Sequence, residues 1–309
     1  MTTAPPPPPK PGKPPVNKPN VPSGNQRKEQ KTPKKFSVSP LAGNDEGEKI
    51  VIYGKSGIGK TTLAAQVPGA VFVPIDDGAR KIVNPLTGEP VSAFNGIEDF
   101  DDLRAATQQA ADLIPKGGAI VIDTVTKVQP LAEAWVVENV PVEKGGKAKN
   151  IESFGFGKGY RHTLDAIRNW LTDLDRLIRS GIHVILLSQL DQATVANASG
   201  VDYLEDVPKL LENKQGPIRT EVCEWADHII RIGYLSMAVN KDDESSRVGK
   251  ARGDSVRAIF TGGALHFMAK SRPISGNRLP PIIGFETEKD NSLWQFVLEG
   301  AVAEQEPGE

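Results

Sequence analysis

The sequence predicts an α/β fold: a doubly wound, mostly parallel sheet with helices on both faces and a β-hairpin extension towards the C-terminus. Three observations carry that expectation. Almost wholly apolar runs of strand length recur along the chain, helical periodicity fills stretches between them, and a glycine-rich turn follows the first run. Strands that are apolar on both faces are buried on both faces, the condition of a parallel sheet covered by helices.

The elements follow in order. KIVIY, Lys49–Tyr53, is the first run, and TTLAAQV after the glycine-rich turn can open a helix. VFVPI (Val71–Ile75), AIVID (Ala119–Asp123) and IHVILLS (Ile182–Ser188) are the next three runs. Ile97, Phe100, Leu103, Leu113 and Ile114 mark a somewhat irregular helix. Leu164, Ile167, Leu171, Leu174 and Ile178 repeat at 3-4-3-4 spacing, one apolar stripe, which Ser180-Gly181 ends immediately before the fourth run. After Glu221 the runs shorten to HIIRIGY (His228–Tyr234), SVRAIF (Ser255–Phe260) and ALHFMA (Ala264–Ala269). The last two flank Thr261-Gly262-Gly263 and are expected to pair as a hairpin.

Composition divides the chain. Of its 309 residues only 38% are hydrophobic, low enough that part of the length lies outside any core. The first forty residues hold 12 of the 25 prolines, eight Lys or Arg and the lone acid Glu29. The remainder carries 29 basic against 38 acidic side chains, so a net charge of −2 hides a basic arm and an acidic body. Residues 1–47 are therefore expected to be a disordered Pro/Lys-rich basic arm, 48–298 one α/β domain, and 299–309 an acidic tail. Within the arm, FSVS (Phe36–Ser39) alternates like a strand; it is either linker or a short strand that docks on a neighbouring subunit.

Several classes are excluded. A single cysteine, Cys223, rules out a disulfide framework or a cysteine-built zinc site, and the four histidines have no metal-ligand spacing. No apolar run approaches the ~20 residues needed to span a bilayer. The N-terminus lacks the apolar core of a secretory signal, so a soluble protein of a reducing compartment, the cytoplasm, is expected.

The strongest chemical motif is GKSGIGKTT, made of Gly54, Lys55, Ser56, Gly57, Ile58, Gly59, Lys60, Thr61 and Thr62. It fits G-x-x-x-x-G-K-[ST] between an apolar strand and a helix. Glycines let the backbone curl so that successive N–H groups point at phosphate oxygens, and the helix N-terminus adds positive potential at the same spot. Lys60 would reach the β/γ-phosphates and the Thr61 hydroxyl would ligate Mg²⁺, so ATP and Mg²⁺ are the expected cofactors. Asp123, closing AIVID, is the candidate second metal ligand; a strand-end turn aspartate is the alternative. Thr124 rather than a glutamate follows it, so the base that orients water must come from elsewhere. Asp76 and Asp77, at the end of the second strand, can supply it or can be turn residues before Gly78. Gln189, closing LLSQ, can sense the γ-phosphate by hydrogen bonding or can be an ordinary loop residue.

On GKSGIGKT, PIDDG, AIVIDT, SFGFGKGY, LLSQ and MAKSR, taken in order from about Glu48 to Phe285, the sequence resembles the phage-type, core-only RecA-like P-loop ATPases, which include AAA-type nucleotide-binding and single-strand annealing proteins. The resemblance implies a RecA-like P-loop NTPase fold with a catalytic carboxylate at Asp76-Asp77. The family usually has glutamate there, one methylene longer, which bears on hydrolysis rate rather than on binding. It implies that Gln189 is the polar sensor. It also implies that Lys270 and Arg272 reach the γ-phosphate of a neighbouring subunit, giving a homo-oligomeric ring or filament with ATP at the interface. Without the resemblance those two are simply exposed basic residues.

Two stretches are candidates for touching single-stranded DNA. Glu143–Arg161 interleaves Lys144, Lys147, Lys149, Lys158 and Arg161 with Phe154, Phe156 and Tyr160. Cations that follow phosphates and rings that stack on bases suit single strands, although such a loop can equally pack its rings onto the core. Leu190–Thr220 is long for a loop, and RecA-type proteins place DNA-binding loops after comparable strands. The basic arm can add salt-sensitive phosphate contacts. The expected function is thus a DNA-dependent ATPase that hydrolyses ATP to ADP and phosphate on single-stranded DNA in phage recombination, annealing or repair. A single-strand binding protein is a further candidate partner, and the host cytoplasm is the location if the gene is phage-borne. The rival readings are a non-catalytic DNA-binding or annealing protein that holds ATP, and a P-loop kinase or partner-loading ATPase.

Overall fold

The computed structural model describes residues 46–75, 82–143, 145–197, 200–235, 256–273 and 278–299, all of them within the unit Gly43–Glu309. The basic arm up to residue 45 with its FSVS segment, Asp76, Asp77, Lys144 and the acidic tail beyond residue 299 lie outside the described residues.

The chain runs β1 (Lys49–Gly54), α1 (Lys60–Ala65), β2 (Ala70–Pro74), β3 (Ser92–Ala93), α2 (Phe100–Leu113), β4 (Ala119–Asp123) and α3 (Val125–Asn139). It continues with α4 (Lys158–Arg179), β5 (His183–Val195), β6 (Tyr203–Pro208), α5 (Ile218–Trp225) and β7 (His228–Tyr234), and closes with β8 (Arg257–Phe260), β9 (Lys270–Ser271), β10 (Ile282–Gly284) and α6 (Ser292–Val297). The sheet order is β10-β8-β7-β1-β5-β4-β2-β3. From β7 through β3 every neighbouring pair is parallel, while β8, β9 and β10 join antiparallel. This is the mostly parallel, doubly wound α/β architecture that the sequence predicts.

Alternation along buried strands builds two cores. Val51 and Tyr53 of β1, with Ile120, Ile122, Val184 and Leu186, face α2, α3, α4 and α5. Ile50 and Ile52, with Val121, Ile185 and Leu187, face Leu63 and Ala64 of α1 and Leu293 and Trp294 of α6. All five predicted stripe residues of α4 are buried, as is Trp170, whose indole Nε1 donates to Thr107 Oγ1 at 3.1 Å. Each such buried side chain contributes roughly 1.5–3 kcal/mol of transfer free energy.

Two expectations are corrected. Residues 255–260 and 264–269 do not pair as a hairpin. The amides of Thr261 and Gly262 both donate to Pro281 O, which carries β8 into an antiparallel ladder with β10. Ala264 and Phe267 instead close a short bridge on each other, and the chain turns back so that β9 pairs with the start of β7. The C-terminal extension is therefore β7-β8-β10 with β9 beside it. Leu190–Thr220 is likewise no open loop: β5 runs on to Val195 and folds back through β6, an antiparallel ribbon with Leu190 opposite Pro208.

Candidate functional site

In a doubly wound sheet the crevice lies beyond the carboxyl ends of the parallel strands. β1 ends at Gly54, β4 at Asp123, and Gln189 of β5 stands in register beside Gly54. Residues far apart in sequence thus meet at one sheet end.

The turn 54–59 is shaped by what cannot fit there. A Cβ on Gly54 would lie 2.6 Å from Ile232 O of β7, so only glycine lets the two strands run side by side. Gly59 sits at φ 109° as the residue before α1, a backbone region that L side chains rarely adopt. Lys55, Ser56 and Gly57 are exposed, and Ile58 is buried and anchors the turn in the α1/α6 core. Thr62 is half-buried one residue into the helix beyond Thr61.

Lys60 is buried, 6% exposed, and its Nζ donates to Gly54 O (2.9 Å), Lys55 O (3.0 Å) and Gln189 Oε1 (3.3 Å). Burial holds its pKa below that of an ordinary lysine, an effect opposed by the nearby Asp123 carboxylate. The Thr61 hydroxyl donates to Asp123 Oδ2 at 2.9 Å. A hydroxyl from the first turn of α1 and a carboxylate oxygen from the end of β4, in contact with each other, are hard oxygen donors of the kind Mg²⁺ takes, so the pair fits that ion. Asp123 is itself 6% exposed, and the peptide that joins it to Thr124 is cis.

Sequence reasoning missed the residues that hold Gln189. Thr126, at the start of α3, accepts from Gln189 N at 3.1 Å and lies 3.2 Å from the buried Ser188 hydroxyl. Lys209 N, at the base of the β5–β6 ribbon, donates to Gln189 O at 2.8 Å. Gln189 is therefore tied to the base of the ribbon by a main-chain bond. A threonine in DTVT offers no sequence pattern that would have revealed this. Arg257 was missed as well: its Nη1 donates to Ile58 O at 3.3 Å from the neighbouring antiparallel strand.

Lys270 and Arg272 lie elsewhere. Lys270 is in register with Ile229, itself beside Val51, three residues upstream of Gly54 and so roughly 10 Å back along the strand. Lys270 Nζ donates to Cys223 O at 2.6 Å and Arg272 pairs with Asp227 at 2.7 Å. The chain does not bring them to its own Lys60.

The basic-aromatic stretch divides in the same way. Phe154 is buried edge-on to His162, and Lys158 pairs with Glu143. Lys147, Lys149 and Arg161 are exposed, and Phe156 is 97% exposed at φ 48° between Gly155 and Gly157. Because α4 leads directly into β5, its first turn and this loop lie at the same sheet end as Gly54. Leu190–Pro208, by contrast, carries Asp191, Asp202, Glu205 and Asp206 and no Lys or Arg.

No helix among the described residues is long and apolar enough to cross a membrane. Comparison with known proteins gives relatives of three kinds. The chain is 26% identical over 152 residues to the SPbeta prophage-derived uncharacterized protein YorG of Bacillus subtilis (strain 168), a stretch covering 49% of this chain and 43% of that protein. The chain thus spans less than half the length of that curated relative. Among solved structures it is similar to the RadB recombinase (TM-score 0.36, 14% identity, covering 71% of this chain and 83% of that one). It is also similar to the flagellar accessory protein FlaH from Methanocaldococcus jannaschii (TM-score 0.41, 11% identity, 79% and 87% covered). The model of the AAA domain family matches residues 46–272, from just before β1 to the end of β9 and across Lys60, Asp123 and Gln189. The chain therefore belongs to the AAA domain family.

Proposed function

We propose that the protein binds ATP with Mg²⁺ at the Gly54–Thr62 turn, hydrolyses it, and couples that cycle to single-stranded DNA in phage recombination, annealing or repair. The observation that carries the reading is the Thr61–Asp123 contact at 2.9 Å beside a buried Lys60 that also meets Gln189. Four groups from three elements converge there, and each is of the type phosphoryl transfer needs.

Lys60 is the residue for the β/γ-phosphates, and the turn amides of Ser56–Thr61 are the donors for phosphate oxygens. Thr61 and Asp123 would hold Mg²⁺, which when bound neutralises charge that develops on the phosphates. Gln189, fixed by Thr126, is the group for sensing the γ-phosphate, and Asp76 or Asp77 is assigned to orient the attacking water. Lys270 and Arg272 are assigned to a neighbour's site in a ring or filament, as cations supplied in trans.

Single-stranded DNA is assigned to the exposed part of the 145–161 loop: Lys147, Lys149 and Arg161 for phosphates, Phe156 for a base. An aromatic ring left in solvent on a left-handed backbone is unfavourable for folding alone and suits stacking. Lys158 is engaged by Glu143 and contributes less. The ribbon at Leu190–Pro208 is acidic and so unsuited to phosphate contact, which leaves Lys209, Lys214 and Arg219 as that segment's cations. The prophage origin of the B. subtilis relative supports a phage context.

The test is phosphate release from ATP with Mg²⁺, measured with single-stranded, duplex and no DNA. Turnover stimulated by single strands and abolished in Lys60→Ala is the expected result. ATP binding without turnover under all three conditions would favour the non-catalytic alternative, and transfer to a small acceptor instead of water would favour a kinase.

A further inference from the structure

Arg257 stands outside every motif that the sequence offers, yet it reaches the phosphate-binding turn from β8. Its Nη1 donates to Ile58 O at 3.3 Å and its Nη2 to Glu286 O at 3.1 Å. The guanidinium lies over the Phe285 ring, 4.6 Å from its centroid, and Phe285 is fully buried. Two hydrogen bonds and a stacked face fix a planar group in both position and tilt.

The bond to Ile58 O acts on the other side of the same peptide. C=O and N–H of a trans peptide point in opposite directions across one rigid plane. Holding Ile58 O towards β8 therefore turns the Gly59 amide away from β8, to the side on which Lys60 and Thr61 lie. Gly59 allows this orientation because its φ of 109° is open to glycine. A Cβ there would meet Arg257 Nη1 and Phe285 Cε1, each at 2.9 Å, so guanidinium and ring pack directly on that Cα. Without the guanidinium the Ile58 carbonyl would lose its external donor and the 58–59 peptide would be free to rotate, with its amide no longer preset for a phosphate oxygen.

We propose that Arg257 is a positioning residue for nucleotide binding: by anchoring Ile58 O it presets the Gly59 amide as a donor to the phosphates. This rests on the proposal that the turn binds ATP. It adds the antiparallel extension to the site as a working part of the phosphate cradle, a role that the motif alone does not assign.

The experiment compares wild type with Arg257→Met, which keeps an aliphatic cover on Phe285 but donates nothing, and with Arg257→Lys. ATP·Mg²⁺ and inorganic tripolyphosphate are the probes, read by calorimetry, and the glycine amides are followed in ¹⁵N-glycine-labelled protein. The expected result is about tenfold weaker binding of both probes to Arg257→Met, equivalent to roughly 1.4 kcal/mol. Arg257→Lys should restore part of it. Turnover should show a raised KM with kcat within about twofold, because a preset donor serves ground and transition states alike. The Gly59 amide resonance should move in the free variant, while the other described glycines outside the turn stay in place. Should Arg257→Met fail to fold, Arg257→Lys carries the same comparison at a smaller ratio. Wild type that binds ATP beside variants that bind both probes equally well overturns the role of Arg257 alone. Wild type that binds neither probe overturns the nucleotide site and this inference with it.

Discussion

Asp123→Asn separates the metal-binding role of the carboxylate from its structural role. Asparagine keeps the shape and an acceptor oxygen for the Thr61 hydroxyl, now 2.9 Å away, so the contact changes from charge-assisted to neutral. That change costs about 1 kcal/mol. Against it, the carboxylate is only 6% exposed, and removing a buried charge relieves a desolvation penalty of similar size. In buffer alone the variant should therefore lie within about 1 kcal/mol of wild type, a Tm difference of roughly 2–4 °C or less for a domain of this size. Ligand linkage behaves differently. At a hundred times its Kd, ATP·Mg²⁺ stabilises wild type by about 2.7 kcal/mol, or roughly 5–11 °C. Asp123→Asn should lose the part of that gain which depends on Mg²⁺ and behave as wild type does with ATP and a chelator. The assay is thermal unfolding in four conditions: buffer, Mg²⁺, ATP with chelator, and ATP with Mg²⁺. A variant that keeps the full Mg²⁺-dependent increment would refute the assignment of Asp123 as a metal ligand.

Other consequences concern charge and burial. Burial lowers the Lys60 pKa, so its charged form costs native stability below that pKa and the cost disappears as pH rises past it towards the unfolded value. ATP affinity should accordingly decline with rising pH before an exposed lysine would titrate, and Lys60→Arg should flatten the profile at lower overall affinity, both read by equilibrium binding between pH 7 and 10. Replacing Lys147, Lys149 and Arg161 together with alanine should weaken single-strand binding and reduce the magnitude of its log–log salt slope by about 2, at roughly 0.7 per phosphate contact, with ATP affinity intact; unchanged DNA affinity eliminates that surface. The buried Cys223 thiol, pushed up to about 12, should resist a thiol-reactive dye at pH 8 until the chain unfolds, and rapid labelling of native protein would contradict its burial in the core.

Much of the fold was legible because buried parallel strands leave an unambiguous trace. The 3-4-3-4 stripe of α4 has one reading of period and face, while KIVIY and AIVID are read from their strand length and their apolar character on both faces. α3 was not read as a helix, since Pro130 interrupts VTKVQPLAEAWVVEN, yet Val125, Val128, Ala132 and Val136 keep helical spacing and are all buried. The β5–β6 ribbon was hidden because LDQATV lacks the apolar density of the strand it extends. The misplaced hairpin has a different cause. Thr261-Gly262-Gly263 looks like a turn locally, but its amides are claimed by Pro281, twenty residues on, and no local pattern reports such a partner.

The site shows the same division. Gly54–Thr62 is contiguous, so its motif is complete in the sequence. Asp123 and Gln189 were found because each ends an apolar strand, and strand ends converge in this class of sheet. That Gln189 stands in register with Gly54, and that Thr126 and Arg257 hold the site from outside, depends on strand order and crossing distances that sequence spacing does not encode.

Equilibrium titration of wild type and Lys60→Ala with ATP·Mg²⁺ puts the phosphate cradle under the most direct test. Saturable binding to wild type, weakened by a hundredfold or more when the Lys60 ammonium is removed, is the predicted outcome. Equal affinity in both proteins, or none in either, would contradict the account.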